Sequence, residues 1–144
     1  MPSRTIREII AKQKPLTASP HTTVSTAARL MKKHHVGAVM VIEQERLVGI
    51  FTERDAVYRV LAQSRNAATT HIGDVMTANP RTIDAAKHVD HALLMMYDGG
   101  FRHVPVVESG KPIGMISARD ALGPELRQFE AELEQREHIG EVMR

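Results

Sequence analysis

Residues 49–55 read GIFTERD, and residues 114–120 read GMISARD, sixty-five positions later. Extending this match outward aligns residues 15–57 with residues 80–122 without a gap, and 12 of the 43 pairs are identical. Ordinary composition would give roughly two or three identities. A constant offset of this kind indicates a duplicated unit. We therefore expect two copies of one fold, related by an approximate two-fold axis, with the functional site at that axis.

The first copy alternates between helical and strand periodicity. Apolar residues at helical spacing predict a helix over 24–34, and two β-branched runs predict paired strands over 39–42 and 47–51. A short strand around Thr17 opens the unit, and a helix that begins at Thr52 closes it. The predicted order is β-α-β-β-α, which is a mixed α/β (α+β) fold.

The second copy repeats this order at the same offset: a strand around Thr82, a helix over 89–98, strands over 104–107 and 113–116, and a helix from Ser117. A unit of this size buries too little surface to be stable alone, so the copies are expected to share a core. The predicted boundaries are 5–64 for the first repeat, 71–123 for the second repeat and 124–144 for a helical C-terminal tail.

A shorter pattern lies outside the aligned region. HIGDVMT at 71–77 leads into the second copy, and a weaker echo, TIREII at 5–10, precedes the first. A closer echo, HIGEVMR, stands at 138–144. The sequence alone gives no account of this last echo.

Composition argues against several classes of partner. The formal charge of +2 comes from 19 basic and 17 acidic residues spread along the sequence, so no basic patch for nucleic acid is expected. Three Phe, two Tyr and no Trp leave few surfaces on which bases could stack. The lack of cysteine excludes disulfides and thiol catalysis and fits a cytoplasmic protein. No signal peptide or membrane span is predicted, because no apolar run approaches 18 residues.

The repeated motif combines a glycine, a hydroxyl at a strand-to-helix junction and a carboxylate one turn later. We expect the glycine to let a ligand approach the backbone and the helix N-terminus to attract a phosphate. The carboxylate could accept two hydrogen bonds from a vicinal diol such as ribose. The alternative is simple helix capping, because Thr-x-x-Asp and Ser-x-x-Asp are also capping boxes. Both copies carry Asp rather than Glu or Gln, and both place Arg before it, which favours a ligand site.

The gapless duplication, the β-α-β-β-α order and the paired G-h-h-[ST]-x-x-D endings resemble a tandem pair of cystathionine-β-synthase (CBS) domains, often called a Bateman module. The resemblance covers residues 5–123. It implies two pseudo-symmetric repeats that form one disc-like module, with two clefts for adenosine-containing ligands. The ligands implied are AMP, ADP or ATP, and also NAD or S-adenosylmethionine, with no further cofactor required.

The resemblance also implies roles for individual residues. Asp55 and Asp120 would hold ribose, and Thr52 and Ser117 would contact phosphate or ribose. The adenine slot and its lip would comprise Thr17, Val36, Gly37, Ala38, Ile50, Thr82, Phe101 and Met115. Arg54 and Arg119, which precede the two aspartates, complete the ligand-binding set together with Arg102 and His103.

The two clefts are not expected to be equivalent. The family uses basic residues at the start of its first long strand to reach phosphate, and the second copy offers Arg102 and His103 there. The first copy has Gly37 and Ala38 at the same place. Phosphate binding is therefore expected to differ between the clefts.

Metal binding and catalysis are not predicted. The candidate metal ligands are His34, His35, His88, Asp90 and His91, whose spacing fixes no third ligand. No GxSxG nucleophile setting and no locally paired acids are present, so no catalytic residue is predicted and the protein is not expected to be an enzyme.

Taken with the resemblance, these features predict a stand-alone regulatory module in which ligand binding shifts the geometry of the repeats. An unknown effector protein in trans, or a second copy in a homodimer, would read that shift. Self-association is expected from surplus apolar residues: Val57, Val60, Leu61, Met95 and Met96. The main alternative is a ligand-independent dimerisation or protein-interaction module, and a weaker one is a small metal-dependent enzyme.

Overall fold

The computed structural model describes residues 4–121, 123 and 131–137. Each repeat contributes one small β-sheet and its covering helices, as the duplication predicts. In chain order the elements are α1 (Ile6–Ile10), β1 (Thr17–Ala18), α2 (Val24–His34), β2 (Ala38–Glu43), β3 (Arg46–Thr52), α3 (Glu53–Asp55), a π-helical segment (Ala56–Leu61), α4 (Ile72–Val75), β4 (Thr77–Ala78), β5 (Ile83–Asp84), α5 (Val89–Gly99), β6 (His103–Glu108) and β7 (Lys111–Ser117). Helical residues 118–121 follow β7. The predicted mixed α+β fold is confirmed.

The two sheets share one plan. In the first sheet the strand order is β1-β2-β3-β4, and in the second it is β5-β6-β7. The opening strand of each repeat runs parallel to the next one, and the two long strands form an antiparallel hairpin. Both hairpins carry a register shift at the same aligned place, after Val41 in one and after Val106 in the other. The opening strand of the second repeat begins at Ile83, one residue after the predicted Thr82.

The long helices match their predicted spans within one residue, because local signals mark both ends. The side chain of Thr23 caps the start of α2, and α2 ends at His35 in the left-handed conformation. In the second repeat α5 ends at Gly100, whose φ of 69° suits glycine. The apolar face of each helix covers its own sheet.

The short lead-in helices are exchanged between the repeats. α1 precedes the first repeat, yet its Ile6 and Ile10 lie in the core of the second repeat. α4 precedes the second repeat, and its Ile72 and Val75 lie in the core of the first repeat. β4 then adds to the edge of the first sheet through β3. Each core therefore includes a lead-in helix that belongs by sequence to the other repeat, so neither repeat has a complete core by itself.

The helix after Thr52 departs from regular α geometry. Its first three residues are α-helical, and the next six widen into the π-helical segment. Val60 faces the core and is 1% exposed, whereas Val57 and Leu61 stay on the surface. Val60 and the 6% exposed Met96 therefore belong to the core and do not supply the surplus apolar surface expected of them.

The predicted C-terminal tail is described only in part. Residues 131–137 are helical, while residues 124–130 and the echo at 138–144 lie outside the described residues. Leu133 in the helical part is 42% exposed. Within the described ranges, no helix has both the length and the apolar character needed to cross a bilayer.

Candidate functional site

Thr52 and Asp55 form a complete capping box. The backbone N–H of Asp55 donates to Thr52 Oγ1 at 3.2 Å, and the backbone N–H of Thr52 donates to Asp55 Oδ2 at 3.0 Å. The Thr52 hydroxyl lies 3.2 Å from the same carboxylate oxygen. Helix capping, the alternative to a ligand role, is therefore observed at this position. Capping engages Oδ2, so a ligand role for Asp55 depends on what surrounds Oδ1.

The other carboxylate oxygen of Asp55 also has partners within the chain. The Thr77 hydroxyl donates to Oδ1 at 3.3 Å, and Arg59 Nε lies 3.6 Å from the same atom. Asp55 is only 6% exposed, and it is the buried charged residue of the described core. Both oxygens of this carboxylate are thus engaged, as a buried charge requires.

Ser117 and Asp120 repeat the box in a more open setting. Asp120 N–H donates to Ser117 Oγ at 3.0 Å, and Ser117 N–H donates to Asp120 Oδ2 at 3.3 Å. Gln13, which follows α1, lies with Nε2 3.5 Å from the same oxygen and accepts from Met115 N–H at 3.3 Å. Asp120 remains half-buried. Its weaker engagement leaves this carboxylate the more accessible of the two.

Strand pairing brings the predicted basic residues to the second motif. Because β6 and β7 are antiparallel, His103 at the start of β6 pairs with Ser117 at the end of β7. The same geometry in the first repeat pairs Ala38 with Thr52. The backbone N–H of Ala118 also donates to the carbonyl of Arg102 at 2.9 Å. Arg102 and His103 are thus held beside the capping box of Asp120.

The two repeats meet where the first hairpin approaches His103. A Cβ built on Gly37 would lie 3.2 Å from Glu53 Oε1 and 3.4 Å from His103 Cε1. A side chain here would require Glu53 or His103 to shift by a few tenths of an ångström. Gly37, Glu53 and His103 therefore form a junction between the repeats.

The electrostatics of this junction centre on His103. Burial lowers the pKa of His103 below its usual value, because the charged imidazolium would lose solvation. The nearby carboxylates of Glu53 and Asp120 oppose the shift, and Arg102 adds to it. His103 is consequently neutral at neutral pH, and an added anionic group would favour its protonation.

The remaining predicted residues are spread around the junction. Arg54 donates to the carbonyl of Gly100 at 3.3 Å and stacks on Tyr58, so it links the π-helical segment to the end of α5. Ala38 and Ile50 are buried, Phe101 is half-buried, and Thr17 and Arg119 are exposed. Val36 and Thr82 line separate cavities.

These two cavities lie on the helical faces of the repeats. The larger, of about 480 Å³, runs between α2 and the π-helical segment, with Val36, Glu53 and Val57 among its lining residues. The smaller, of about 270 Å³, lies between β5 and α5 and includes Thr82. Neither is lined by Asp55 or Asp120. A ligand held by the aspartates would therefore lie outside these two cavities.

The motif glycines have a different role from the predicted one. A Cβ on Gly49 would collide with Met76 Sδ, and a Cβ on Gly114 would lie 2.9 Å from Ile10 Cδ1. The lead-in segments therefore occupy the space that we expected a ligand to use. Glycine is required at both positions for close packing of the exchanged lead-ins.

Four residues of the site were missed by the sequence prediction. Thr77 and Gln13 reach the aspartates from the exchanged segments, and Glu53 and Arg59 reach His103 and Asp55 from the helix after β3. The similarity of the lead-in sequences was the available signal for the first pair. It shows that a segment recurs but not which repeat the segment contacts.

The candidate metal ligands lie at the end of α2 and at the start of α5. Over the described ranges, no group of three His, Asp or Glu side chains is arranged to hold a metal ion.

The duplicated fold and its motifs can now be compared with known proteins. The family model described as CBS domain matches the chain twice, over residues 6–62 and 72–123. The chain belongs to the CBS-domain family. The predicted resemblance and fold are thereby confirmed.

Individual relatives support the same assignment. A CBS domain-containing mitochondrial protein of Arabidopsis thaliana, CBSX3, is 35% identical over 117 residues, which cover 78% of this chain and 57% of that protein. The chain thus spans little more than half of that relative. A solved CBS-domain containing protein from Agrobacterium tumefaciens is 30% identical, with a TM-score of 0.76, 82% of this chain covered and 96% of that one. A CBS domain protein from Pyrobaculum aerophilum, solved in complex with AMP, is 25% identical, with a TM-score of 0.76, 88% of this chain covered and 96% of that one.

Proposed function

We propose that this chain is a regulatory module that binds an adenosine-containing ligand between its two CBS repeats. The observation that carries the proposal is the position of Asp120, which lies half-buried at the junction beside Ser117, Arg102 and His103. A carboxylate next to a hydroxyl and two basic side chains suits a ribose phosphate, because diol and phosphate groups then meet partners of the right kind. The AMP complex of the Pyrobaculum aerophilum protein supports this ligand class.

The cleft of Asp120 is proposed to fill before that of Asp55. Asp55 is 6% exposed and satisfied by Thr77 and Arg59, so a ligand must displace these groups to reach it. Within the described part of the chain, Asp120 has to give up the long contact with Gln13. Displacing a satisfied buried group has a larger desolvation cost than displacing a weakly bonded one.

The proposal is tested by calorimetry with AMP, ADP, ATP, NAD, S-adenosylmethionine and adenosine. Asp120→Asn keeps the size of the side chain but replaces one acceptor oxygen with a donor. Ribose donates two hydrogen bonds to the carboxylate, so affinity should fall more than tenfold, equivalent to about 1.4 kcal/mol or more. Asp55→Asn is the matched control and should have less effect on the first binding event. Wild-type affinity in Asp120→Asn, or no binding of any of these compounds at millimolar concentration, contradicts the proposal.

A second candidate function is ligand-independent dimerisation, and one surface favours it. Leu61 and Tyr58 in the π-helical segment are 70% and 57% exposed, and Tyr97 in α5 is 87% exposed. Arg54 stacks on Tyr58 and donates to the carbonyl of Gly100 at the end of α5, and we infer that these side chains share one face. Contiguous exposed apolar side chains mark interaction surfaces. We assign this face to a homodimer, whether or not dimerisation depends on ligand.

The remaining features of the proposal concern how the signal is used. A shift in the relative position of the repeats would be read by the partner copy or by an effector protein in trans. The module is proposed to act without catalysis, nucleic acid or membrane, in the cytoplasm. Crosslinking in cells would compare the partners of the wild-type protein with those of the non-binding Asp120→Asn variant. A partner captured by the wild type alone would be a ligand-dependent effector, and identical partners for the two proteins would argue against signalling.

A further inference from the structure

Glu53 is the first residue of α3, and hydrogen bonds of the backbone fix its position. Thr52 and Asp55 close the capping box on either side of it. The backbone N–H of Glu53 donates to the carbonyl of Gly37 at 3.0 Å, so α3 begins beside the residue that precedes β2. The Glu53 side chain is exposed and takes no part in the capping box. Its carboxylate is therefore available at the junction between the repeats.

The second repeat makes the same backbone contact with different side chains. Ala118 aligns with Glu53 at the repeat offset, and Arg102 aligns with Gly37. The N–H of Ala118 donates to the carbonyl of Arg102 at 2.9 Å, as the N–H of Glu53 does to Gly37. At these equivalent places the first repeat has a carboxylate and no second side chain, and the second repeat has a methyl group and a guanidinium. The two repeats therefore bring opposite charges to the junction.

The Glu53 carboxylate lies close to His103 of the second repeat. Glu53 Oε1 and His103 Cε1 are 3.2 Å and 3.4 Å from the point where a Cβ of Gly37 would stand. The two side chains are thus near neighbours across the space that this glycine leaves open. Burial lowers the pKa of His103, and Glu53 opposes that shift more strongly than Asp120 does. Glu53 is accordingly the carboxylate with the larger electrostatic effect on His103.

We propose that Glu53 is a specificity-determining residue that disfavours ligands with a phosphate beside His103. The inference rests on the proposed function, which assigns the ribose to Asp120 and the 5′ phosphate to Arg102 and His103. His103 pairs with Ser117 of the Asp120 box, so the phosphate is placed where Glu53 already supplies a negative charge. Like charges at this distance repel, whereas a neutral or cationic group is tolerated or attracted.

The expected preference among adenosine-containing ligands follows from the charge at the 5′ carbon of the ribose. AMP and ATP carry phosphate there, adenosine carries a hydroxyl, and S-adenosylmethionine carries a positively charged sulfonium. Glu53 repels the first two, has little effect on adenosine and attracts the last. Because Glu53 is exposed, solvent and salt screen these effects, and severalfold changes in affinity are expected.

Calorimetry on the full chain tests this preference with AMP, ATP, adenosine and S-adenosylmethionine. Glu53→Gln keeps the size of the side chain and removes its charge. The affinities for AMP and ATP should rise at least about threefold, that for adenosine should change by less than about twofold, and that for S-adenosylmethionine should fall. Glu43→Gln is the matched control, because Glu43 is an exposed glutamate at the far end of β2. It should leave all four affinities unchanged.

A second measurement examines the contact without any ligand. NMR titration of the His103 imidazole in the ligand-free protein should give a lower pKa in Glu53→Gln than in the wild type, and Glu43→Gln should match the wild type. An unchanged His103 pKa in Glu53→Gln, or an unchanged ratio of AMP to adenosine affinity, would overturn the specificity role while the wild type still binds. Failure of the wild type to bind any of the four compounds would instead contradict the proposed function, and the specificity role would fall with it.

Discussion

The hydroxyl of Thr77 donates a hydrogen bond to Oδ1 of Asp55 across 22 residues of sequence, at 3.3 Å. Thr77 belongs to β4, the strand that the second repeat adds to the sheet of the first. Asp55 in turn caps the helix after β3. The contact therefore links the motif carboxylate of the first repeat to β4, near the start of the second repeat.

Thr77→Val should open the Asp55 cleft. The substitution removes the hydroxyl donor to Oδ1 and preserves side-chain shape, so Arg59 is the remaining partner of Oδ1 that ribose must displace. We expect a second binding event in calorimetry with AMP, and a loss of stability of about 1 kcal/mol from the missing hydrogen bond. Thr69→Val removes an exposed hydroxyl elsewhere and should change neither. An unchanged binding isotherm in Thr77→Val would show that Thr77 does not limit access to Asp55.

Gln13→Ala should strengthen binding in the Asp120 cleft. The Gln13 side chain donates to Asp120 Oδ2 and accepts from the Met115 N–H, and a ligand at Asp120 must displace it. Its removal should raise AMP affinity about fivefold, close to the value of one net hydrogen bond of about 1 kcal/mol. Gln63→Ala, at an exposed glutamine, is the control. A lower affinity in Gln13→Ala would instead make Gln13 part of the ligand site.

The duplicated pattern was enough to predict the fold, because helix spacing, hairpins and caps are encoded by residues close in sequence. The spans of α2 and α5 follow from apolar spacing and from the residues at their ends, such as Thr23 and Gly100. The capping boxes at Thr52 and Ser117 were likewise visible as local motifs.

The difference between the two aspartates could not be predicted in this way. It depends on Thr77 and on Gln13, which lies 107 residues from Asp120. The two repeats have similar cores, and the local sequence of each lead-in helix encodes a short apolar helix without specifying which repeat it packs against. The misreading of Gly49 and Gly114 has the same cause, since Met76 and Ile10 fill the space beside them.

Arg102→Ala should weaken phosphorylated ligands selectively. Arg102 is exposed beside the Asp120 box, where it can donate to a phosphate without first breaking a core contact. A hydrogen bond to a charged group contributes about 1.5 to 3 kcal/mol, so AMP should lose roughly tenfold or more in affinity. Adenosine should lose little, and Arg29→Ala on α2 should affect neither ligand. Equal losses for AMP and adenosine would remove Arg102 from the phosphate role.

Tyr97→Glu should dissociate the proposed homodimer. Tyr97 is 87% exposed, and we have assigned it with Leu61 to the proposed dimer face, where a buried unpaired carboxylate would oppose association. Light scattering after size-exclusion chromatography should give a dimer for the wild type and a monomer for Tyr97→Glu. Ile113→Glu, at a 36% exposed residue of β7, is the matched control and should remain dimeric. A wild-type monomer at high concentration would rule out this interface.

His103 should make both stability and phosphate binding depend on pH. Its folded pKa is lowered by burial, while the unfolded value is about 6.5, so the unfolded state takes up a proton first as the pH falls. Stability should be greatest above about pH 6.5 and decrease as the pH drops from there towards the lowered folded pKa. His103→Gln should remove this part of the pH dependence in denaturant titrations, which compare the free energy of unfolding at pH 7.5 and pH 5.5.

A bound phosphate would favour the imidazolium, so AMP binding at pH 7 should take up more protons in the wild type than in His103→Gln, while adenosine should show no such difference. Calorimetry in buffers of different ionisation enthalpy measures this uptake, and identical values for the two proteins with AMP would place His103 away from the phosphate.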